Sequence, residues 1–222
     1  MSAIDDLGYV QLNERPLGGH MRLLHLVGDE KRVLDVGCSS GYLARPLVER
    51  GCTVVGIERD PAAAAAARAV CEEVLVGDVE ELPLPFEHGS FDVVLCGDLV
   101  EHLRDPQSFL ARVRPCLKED GRLVLTTPNV ANVALRLSLL GGRWRYTERG
   151  LLDRTHVHLF TRKTLTEALS KAGYRVVEFD FTLPMPSPVP GMRHGVERIA
   201  HALGRIRPSL LAYQFVVAAE PA

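Results

Sequence analysis

Apolar runs alternate with segments of helical periodicity along the chain, and this alternation organises residues 30–128. Residues 32–36, 53–57, 74–76, 91–96 and 122–126 read as strands, apolar almost throughout, as expected of strands buried on both faces. A helix follows Gly41, with Leu43, Leu47 and Val48 apolar. Pro46 makes that helix start late or bend, and Gly51 stops it. Asp60-Pro61 opens the next helix as N-cap and first helical residue, and the alanine run 62–67 propagates it. Asp105-Pro106 repeats the cap and starts a helix running toward Cys116. Asp120-Gly121 turns into the fifth strand, and Thr127-Pro128-Asn129 ends it. The alternation implies βαβ units, a parallel sheet and right-handed crossovers.

The flanks are less regular. Residues 1–30 read as a polar start and an amphipathic helix with Leu17, Met21, Leu24 and Leu26 on its apolar face. Residues 130–140 are predicted helical and 141–155 an arginine-rich loop. A further helix spans 161–171, capped by Thr161 and ended by Gly173. Strands are predicted at 174–181 and 213–219, separated by a proline-rich loop (184–190) and an amphipathic helix carrying Val196, Ile199, Ala200 and Leu203. No repeat or linker divides the chain. Residues 1–222 are read as one domain: an N-terminal helical segment (1–30), a ligand-binding core (30–128), and a substrate-side half (129–222) with lid elements at 130–160 and 184–210.

Composition narrows the classes. The 222 residues are 46% hydrophobic and 24% charged, as in an ordinary globular protein. No apolar run reaches membrane-spanning length, and the first seven residues carry two aspartates where a leader would be apolar. Cys38, Cys52, Cys71, Cys96 and Cys116 show no CxxC spacing and read as reduced thiols of a cytoplasmic protein with no zinc site. Of 26 Lys+Arg and 28 Asp+Glu, residues 1–128 hold 13 and 21, and residues 129–222 hold 13 and 7. That basic excess suggests an anionic or carrier-linked small-molecule acceptor, or a basic helix (193–207) that lids the site or lies on a membrane surface. Scattered solvated charge accounts for it equally well. No basic stripe supports nucleic-acid binding. A monomer or homodimer is expected.

In an open parallel sheet, ligands bind beyond the carboxyl ends of the strands. The residues there are Asp35–Gly41, Glu58-Arg59, Asp78-Val79 and Cys96–Asp98. A dinucleotide would need G-x-G-x-x-G, but the turn Gly37-Cys38-Ser39-Ser40-Gly41 lacks the middle glycine, and Asp35 would repel a pyrophosphate. This disfavours a nicotinamide oxidoreductase. A cationic ligand such as S-adenosylmethionine fits better. Glu58 is positioned to accept ribose hydroxyls, and Asp78 an adenine amino group beside the Val79 amide. Asp60 and Asp105 are helix caps, whereas Asp35, Glu58 and Asp78 recur at three successive strand ends.

Residues 33–41, Gly56–Asp60, Gly77–Pro83, Phe91–Val94, Glu101–Leu103 and Leu117–Leu123 together resemble a class I S-adenosylmethionine-dependent methyltransferase. The motifs cover about residues 30–128. The resemblance implies an α/β, Rossmann-like, seven-stranded, mainly parallel sheet with helices on both faces and the last strand antiparallel. It implies S-adenosyl-L-methionine as cofactor, S-adenosyl-L-homocysteine as product, and cofactor contacts from Asp35, Gly37, Cys38, Ser39, Gly41, Glu58, Arg59, Asp78, Val79 and Cys96. The chain departs at Ser39-Ser40, where most members have a third glycine.

The methyl acceptor is sought in the later residues. Residues 152–161 resemble the Thr-His-x-x-x-Phe segment of ubiquinone-biosynthesis-type methyltransferases. His156 is the first candidate base, followed by His158, Asp98 and His102; His102 also suits a helix-start or packing role. His156 and His158 would share one face of an extended segment. With Asp153 they lack further ligands, so no metal is expected. His20, His25, His88, His194 and His201 read as surface or partly buried residues. Trp144 and Tyr146 either wall an acceptor site or belong to a loop clamped on the surface. The expected activity is methylation of a small-molecule oxygen on a sugar, polyketide or quinone-like precursor; N- or C-methylation, and a non-catalytic S-adenosylmethionine-binding module, are the alternatives.

Overall fold

A computed structural model describes residues 11–15, 17–183 and 204–222. The proline-rich loop and the amphipathic helix expected at 184–203 lie outside them, as does most of the polar start.

Seven strands form one sheet: β1 (Arg32–Val36), β2 (Thr53–Glu58), β3 (Glu73–Val76), β4 (Phe91–Cys96), β5 (Leu117–Pro128), β6 (Tyr174–Thr182) and β7 (Gln214–Pro221). Their order is β3-β2-β1-β4-β5-β7-β6. The pairs among β1 to β5 are parallel, while β7 runs antiparallel to both its neighbours. The last strand is antiparallel, as the resemblance implies, but it is inserted between β5 and β6 and leaves β6 at the edge. The strand order reverses between β1 and β4, which opens a crevice at their carboxyl ends.

Strand alternation divides the core into two layers. Leu34, Val36, Val55, Ile57, Val94 and Leu123 face one side with helices α4 (Pro106–Val113) and α6 (Arg162–Lys171). Val33, Val54, Val93, Leu95, Val124 and Val216 face the other, under α1 (Gly19–Val27), α2 (Ala44–Glu49) and α3 (Pro61–Ala67). The predicted caps form: Asp60 accepts from the Ala62 amide, Asp105 from the Ser108 amide, and Thr161 makes a capping box with Thr164. Helix α2 starts late, at Ala44, and its Val48 is exposed because it points away from the core. Helix α5 (Val133–Leu140) is capped by Asn132 and buries none of its residues.

The fifth strand is longer than its apolar run. Leu117 pairs with Phe91, and Arg122 pairs with Val93, so the intervening residues of β5 bulge from the ladder. The Asp120-Gly121 turn is inside this bulge rather than before the strand. A Cβ at Gly121 would lie 2.9 Å from the Lys118 nitrogen, closer than real Cβ atoms sit, and 3.1 Å from the Phe91 oxygen, both of them backbone atoms. The Lys118 ammonium pairs with Asp92 at 2.7 Å and holds the bulge down.

Phe215, fully buried on β7, packs in the layer beneath α6 and against Phe179. Phe215→Ala is expected to cost about 3–5 kcal/mol of folding stability, as large-to-small core changes do. Urea unfolding monitored by far-UV circular dichroism measures this.

Candidate active site

The loop after β1 is laid onto the end of β2. The Gly37 and Cys38 amides both donate to the Ile57 carbonyl, at 2.8 and 3.1 Å. The Ser39 amide donates to Glu58 Oε2 at 2.9 Å, and the Asp60 amide to Glu58 Oε1 at 2.8 Å. Glu58 therefore organises the loop at the position where the sequence pointed to ribose, and each carboxylate oxygen keeps a second acceptor direction. Gly37 and Gly41 have φ of 77° and 79°, a region where only glycine is unstrained. Ser39 adopts φ 50° and strains where the family commonly has glycine. Arg59 is exposed at the loop margin.

Asp35 lies under this loop, buried, and its Oδ2 has no hydrogen-bond partner. Burial, reinforced by the nearby Glu58, pushes its carboxyl up to about 7. At the end of β3, Asp78 accepts from the Glu80 amide at 2.9 Å, and Val79 is buried in the core layer. Cys96, at the end of β4, is wholly buried in the core layer. Cys38 is a buried thiol raised by its contact with Cys71 and by burial.

Asp98, just past β4, has φ 50° in the left-handed region. Its Oδ1 accepts from the Thr126 hydroxyl at 2.9 Å and from the Gln214 amide, while its own amide donates to Thr126 Oγ1. The sequence singled out neither partner: Gln214 is 116 positions away and reaches Asp98 only because β7 lies beside β5. His20 is buried at 8% exposure, further inside than its reading as a surface or partly buried residue. Its ring packs on Tyr42 at 5.1 Å, and its Nδ1 accepts from the Asn13 amide. Burial lowers its basicity against the opposing pull of Asp98.

The loop from 153 to 160 is tied to the 3-10 turn Val100–His102, because the Val157 and His158 amides both donate to the Glu101 carbonyl. This brings His156 against His102, with ring centroids 4.9 Å apart and nearly perpendicular. His102 Nδ1 faces the Thr155 carbonyl at 3.2 Å and His156 Nδ1 the Leu151 carbonyl at 3.4 Å. A carbonyl only accepts, so Nδ1 carries the hydrogen in both rings, which in a neutral imidazole leaves the lone pair on Nε2. Burial and the adjacent His102 hold His156 below the usual imidazole range, so it is neutral at pH 7. His158 is turned elsewhere, its Nε2 on the Arg104 carbonyl at 2.9 Å.

Glu101 is 1% exposed and neither carboxylate oxygen makes a hydrogen bond. Burial and then Asp98 raise its carboxyl well above the ordinary range. Glu101, His102 and His156 each offer one donor atom within 4.8 Å of the others, a spacing that a divalent cation can bridge. This donor set differs from the His156, His158 and Asp153 grouping visible in the sequence, because the fold rather than local spacing assembles it. Two buried amides support the site from behind: Asn129 and Asn132 both donate to the Ala212 carbonyl at 2.8 Å and lock the end of β5 to the entry of β7. Trp144 and Tyr146 are both exposed, and Tyr146 lines an open concavity of about 570 Å³ with Arg145 and Arg154.

Comparison with known proteins identifies the family and the fold. Residues 11–179 match a family described as a methyltransferase domain. The chain is 30% identical over 154 residues to a ubiquinone biosynthesis O-methyltransferase of Acinetobacter baylyi, covering 66% of this chain and 64% of that protein. It is 34% identical over 131 residues to a protein of the same description from Xanthomonas euvesicatoria pv. vesicatoria, covering 56% and 54%. The chain thus spans less than two thirds of the length of these relatives. A solved SAM-dependent methyltransferase from Archaeoglobus fulgidus shares the fold at TM-score 0.65 and 20% identity, over 90% of this chain and 92% of its own. Another from Thermotoga maritima, described as a possible histamine N-methyltransferase, superimposes at TM-score 0.64 and 19% identity, over 92% and 88%.

The raised Asp35 carboxyl makes folding pH-dependent. The folded state holds this proton more tightly than the unfolded chain does, so the group's contribution to stability is full below about pH 4 and is lost as pH rises toward about 7. Asp35→Asn is expected to flatten that decline, narrowing the stability difference between pH 5 and pH 8 relative to wild type. Urea unfolding of the ligand-free protein at the two pH values measures it.

Proposed function

We propose that this chain, which belongs to the methyltransferase-domain family, transfers a methyl group from S-adenosylmethionine to an oxygen of a small-molecule acceptor. The observation that carries the reading is the pairing of an unpartnered buried carboxylate at the glycine loop with a neutral histidine at the same crevice. Asp35 Oδ2 is a buried acceptor that lacks a donor, and a ligand bearing an ammonium supplies one. The tight glycine backbone at 37 and 41 gives such a ligand room to approach. These residues fit S-adenosylmethionine, which when bound provides an electrophilic methyl group on a sulfonium and leaves as S-adenosylhomocysteine.

In this reading Asp35 meets the ammonium, Glu58 accepts the ribose hydroxyls, and Asp78 with the Val79 amide faces the adenine. His156 Nε2 takes the proton of the acceptor hydroxyl as that oxygen becomes the nucleophile. His102 limits the ring's freedom, and its Nδ1–H contact to Thr155 holds the 153–160 loop in place. Asp98 is fixed by Thr126 and Gln214 at the end of β4, where it orients the acceptor. The names of the Acinetobacter and Xanthomonas relatives support an oxygen acceptor and a quinone-like phenol as the first class to test.

Glu58→Ala is expected to weaken S-adenosylhomocysteine binding by about tenfold to a hundredfold, since each charge-assisted hydrogen bond contributes roughly 1.5–3 kcal/mol. Isothermal titration calorimetry measures this, and NAD in place of the ligand should give no heat. His156→Ala is expected to leave that binding intact while lowering methyl transfer by about a hundredfold or more. The readout is label transfer from methyl-labelled S-adenosylmethionine to a panel of phenols and sugar alcohols. Unchanged turnover of the preferred acceptor by this variant removes His156 as the base.

A further inference from the structure

We propose that Glu80 and His158 are positioning residues that make the placement of His156 depend on cofactor occupancy; the inference rests on the methyl-transfer reading above. His158 resembles a second base in the sequence, but its Nε2 meets the Arg104 carbonyl at 2.9 Å. A carbonyl only accepts, so this nitrogen donates and takes no proton from an acceptor hydroxyl. What it does is hold the loop. Residues 154 and 155 are exposed and Val157 is 59% exposed, so little apolar packing fixes the stretch around His156. Beyond their own turn, residues 155–158 are held through residues 101–104. The Val157 and His158 amides share the Glu101 carbonyl at 2.8 and 2.9 Å, His102 Nδ1 donates to the Thr155 carbonyl, and His158 closes the row on Arg104. The His158 ring lies nearly parallel to that of Phe160, with centroids 6.2 Å apart, which limits its rotation.

Segment 101–104 is held in turn by the loop after β3. Just before helix α4 its backbone presents two donors that need partners. Glu80 takes both: Oε2 accepts from the Arg104 amide at 3.1 Å and Oε1 from the Asp105 amide at 2.9 Å. The Arg104 guanidinium also reaches Oε2 at 3.3 Å, but its side chain is 65% exposed and such a pair adds little. Arg112 of α4 clamps the same loop by donating to the Glu80 and Leu82 carbonyls at 2.6 and 2.7 Å. Asp78 shapes the turn that carries Glu80. Its Oδ1 accepts from the Glu80 amide at 2.9 Å, and its carbonyl from the Leu82 amide at 2.7 Å. Asp78 is the acid that faces the adenine in the proposed function. Arg104 therefore joins the two ends of the crevice through its backbone, with Glu80 on its amide and His158 on its carbonyl. A ligand seated at Asp78 restrains the turn that grips Arg104, and Arg104 restrains the loop that carries His156. Coupling of this kind needs an element with two states. The thinly packed 155–158 stretch, docked or released, is that element.

Hydrogen–deuterium exchange of the full chain, with and without saturating S-adenosylhomocysteine, reads the link without an acceptor. In wild type the ligand is expected to slow exchange in residues 155–160 by about fivefold or more. Glu80→Ala should cut that protection to less than about twofold while calorimetry still shows the ligand bound. Arg104→Ala, which removes the guanidinium but keeps both peptide groups, should retain it. His158→Ala should lose the protection and lower kcat for methyl transfer by about tenfold, with KM for S-adenosylmethionine unchanged. His158→Gln presents an amide N–H in place of Nε2 and should restore both. A purely stabilising role predicts a lower melting temperature with no separation of kcat from KM and no rescue by glutamine. If Glu80→Ala unfolds, the two His158 variants carry the test. The proposal is overturned if saturated wild type shows no added protection of residues 155–160, if folded Glu80→Ala keeps the full protection, or if His158→Gln behaves like His158→Ala. Failure of S-adenosylhomocysteine to bind wild type overturns the cofactor reading and this inference together; binding without loop protection overturns this inference alone.

Discussion

The hold of β2 on the loop after β1 is the constraint on which the rest of the crevice depends. Two consecutive amides share the Ile57 carbonyl, and a third rests on Glu58. This pins the glycine turn directly above Asp35. Because β1 pairs with β2 on one side and β4 on the other, the same register sets the turn beside Asp98. A shift of one residue would rotate Asp35 to the opposite core layer and break all three amide contacts. The strained Ser39 backbone persists because the surrounding bonds over-determine it.

Electrostatics divides the crevice into two halves. On the loop side, Asp35 is a carboxylate whose burial opposes its charge, which suits a site awaiting a cation. On the far side, Glu101 is buried with no donor, next to two histidines whose Nδ1 atoms are taken by backbone carbonyls. Folding leaves both acids poorly satisfied, at a cost in stability that is characteristic of functional sites rather than of packing. The backbone of the 153–160 loop fixes His156 on this second half by donating two amides to the Glu101 carbonyl.

Much of this was legible in the chain itself. The Asp-Pro caps at 60 and 105 involve contacts only two or three residues long, and they form as expected. The strand ends carrying Asp35, Glu58 and Asp78 follow from periodicity and strand order. What was not legible depends on distant contacts. Gln214 on Asp98, Asn129 and Asn132 on Ala212, and Glu101 beside His156 join residues separated by tens of positions or more. The β5 bulge was missed because a Gly after an Asp reads locally as a turn, and only pairing with β4 shows that the strand continues through it. His20 lies further inside than its sequence reading because its burial is decided by Tyr42 and by the docking of α1, not by its neighbours in sequence.

The sequence alone determined the βαβ core, its caps, the glycine turn and the acids around it, because these rest on local periodicity and short-range hydrogen bonds. Tertiary structure alone decided which histidines face one another, which carboxylates lose their partners, and which leucines remain in water. Those outcomes are set by long-range pairing of β7 with β5 and by a loop folding back on the 100–102 turn, and no local pattern of residues encodes such contacts.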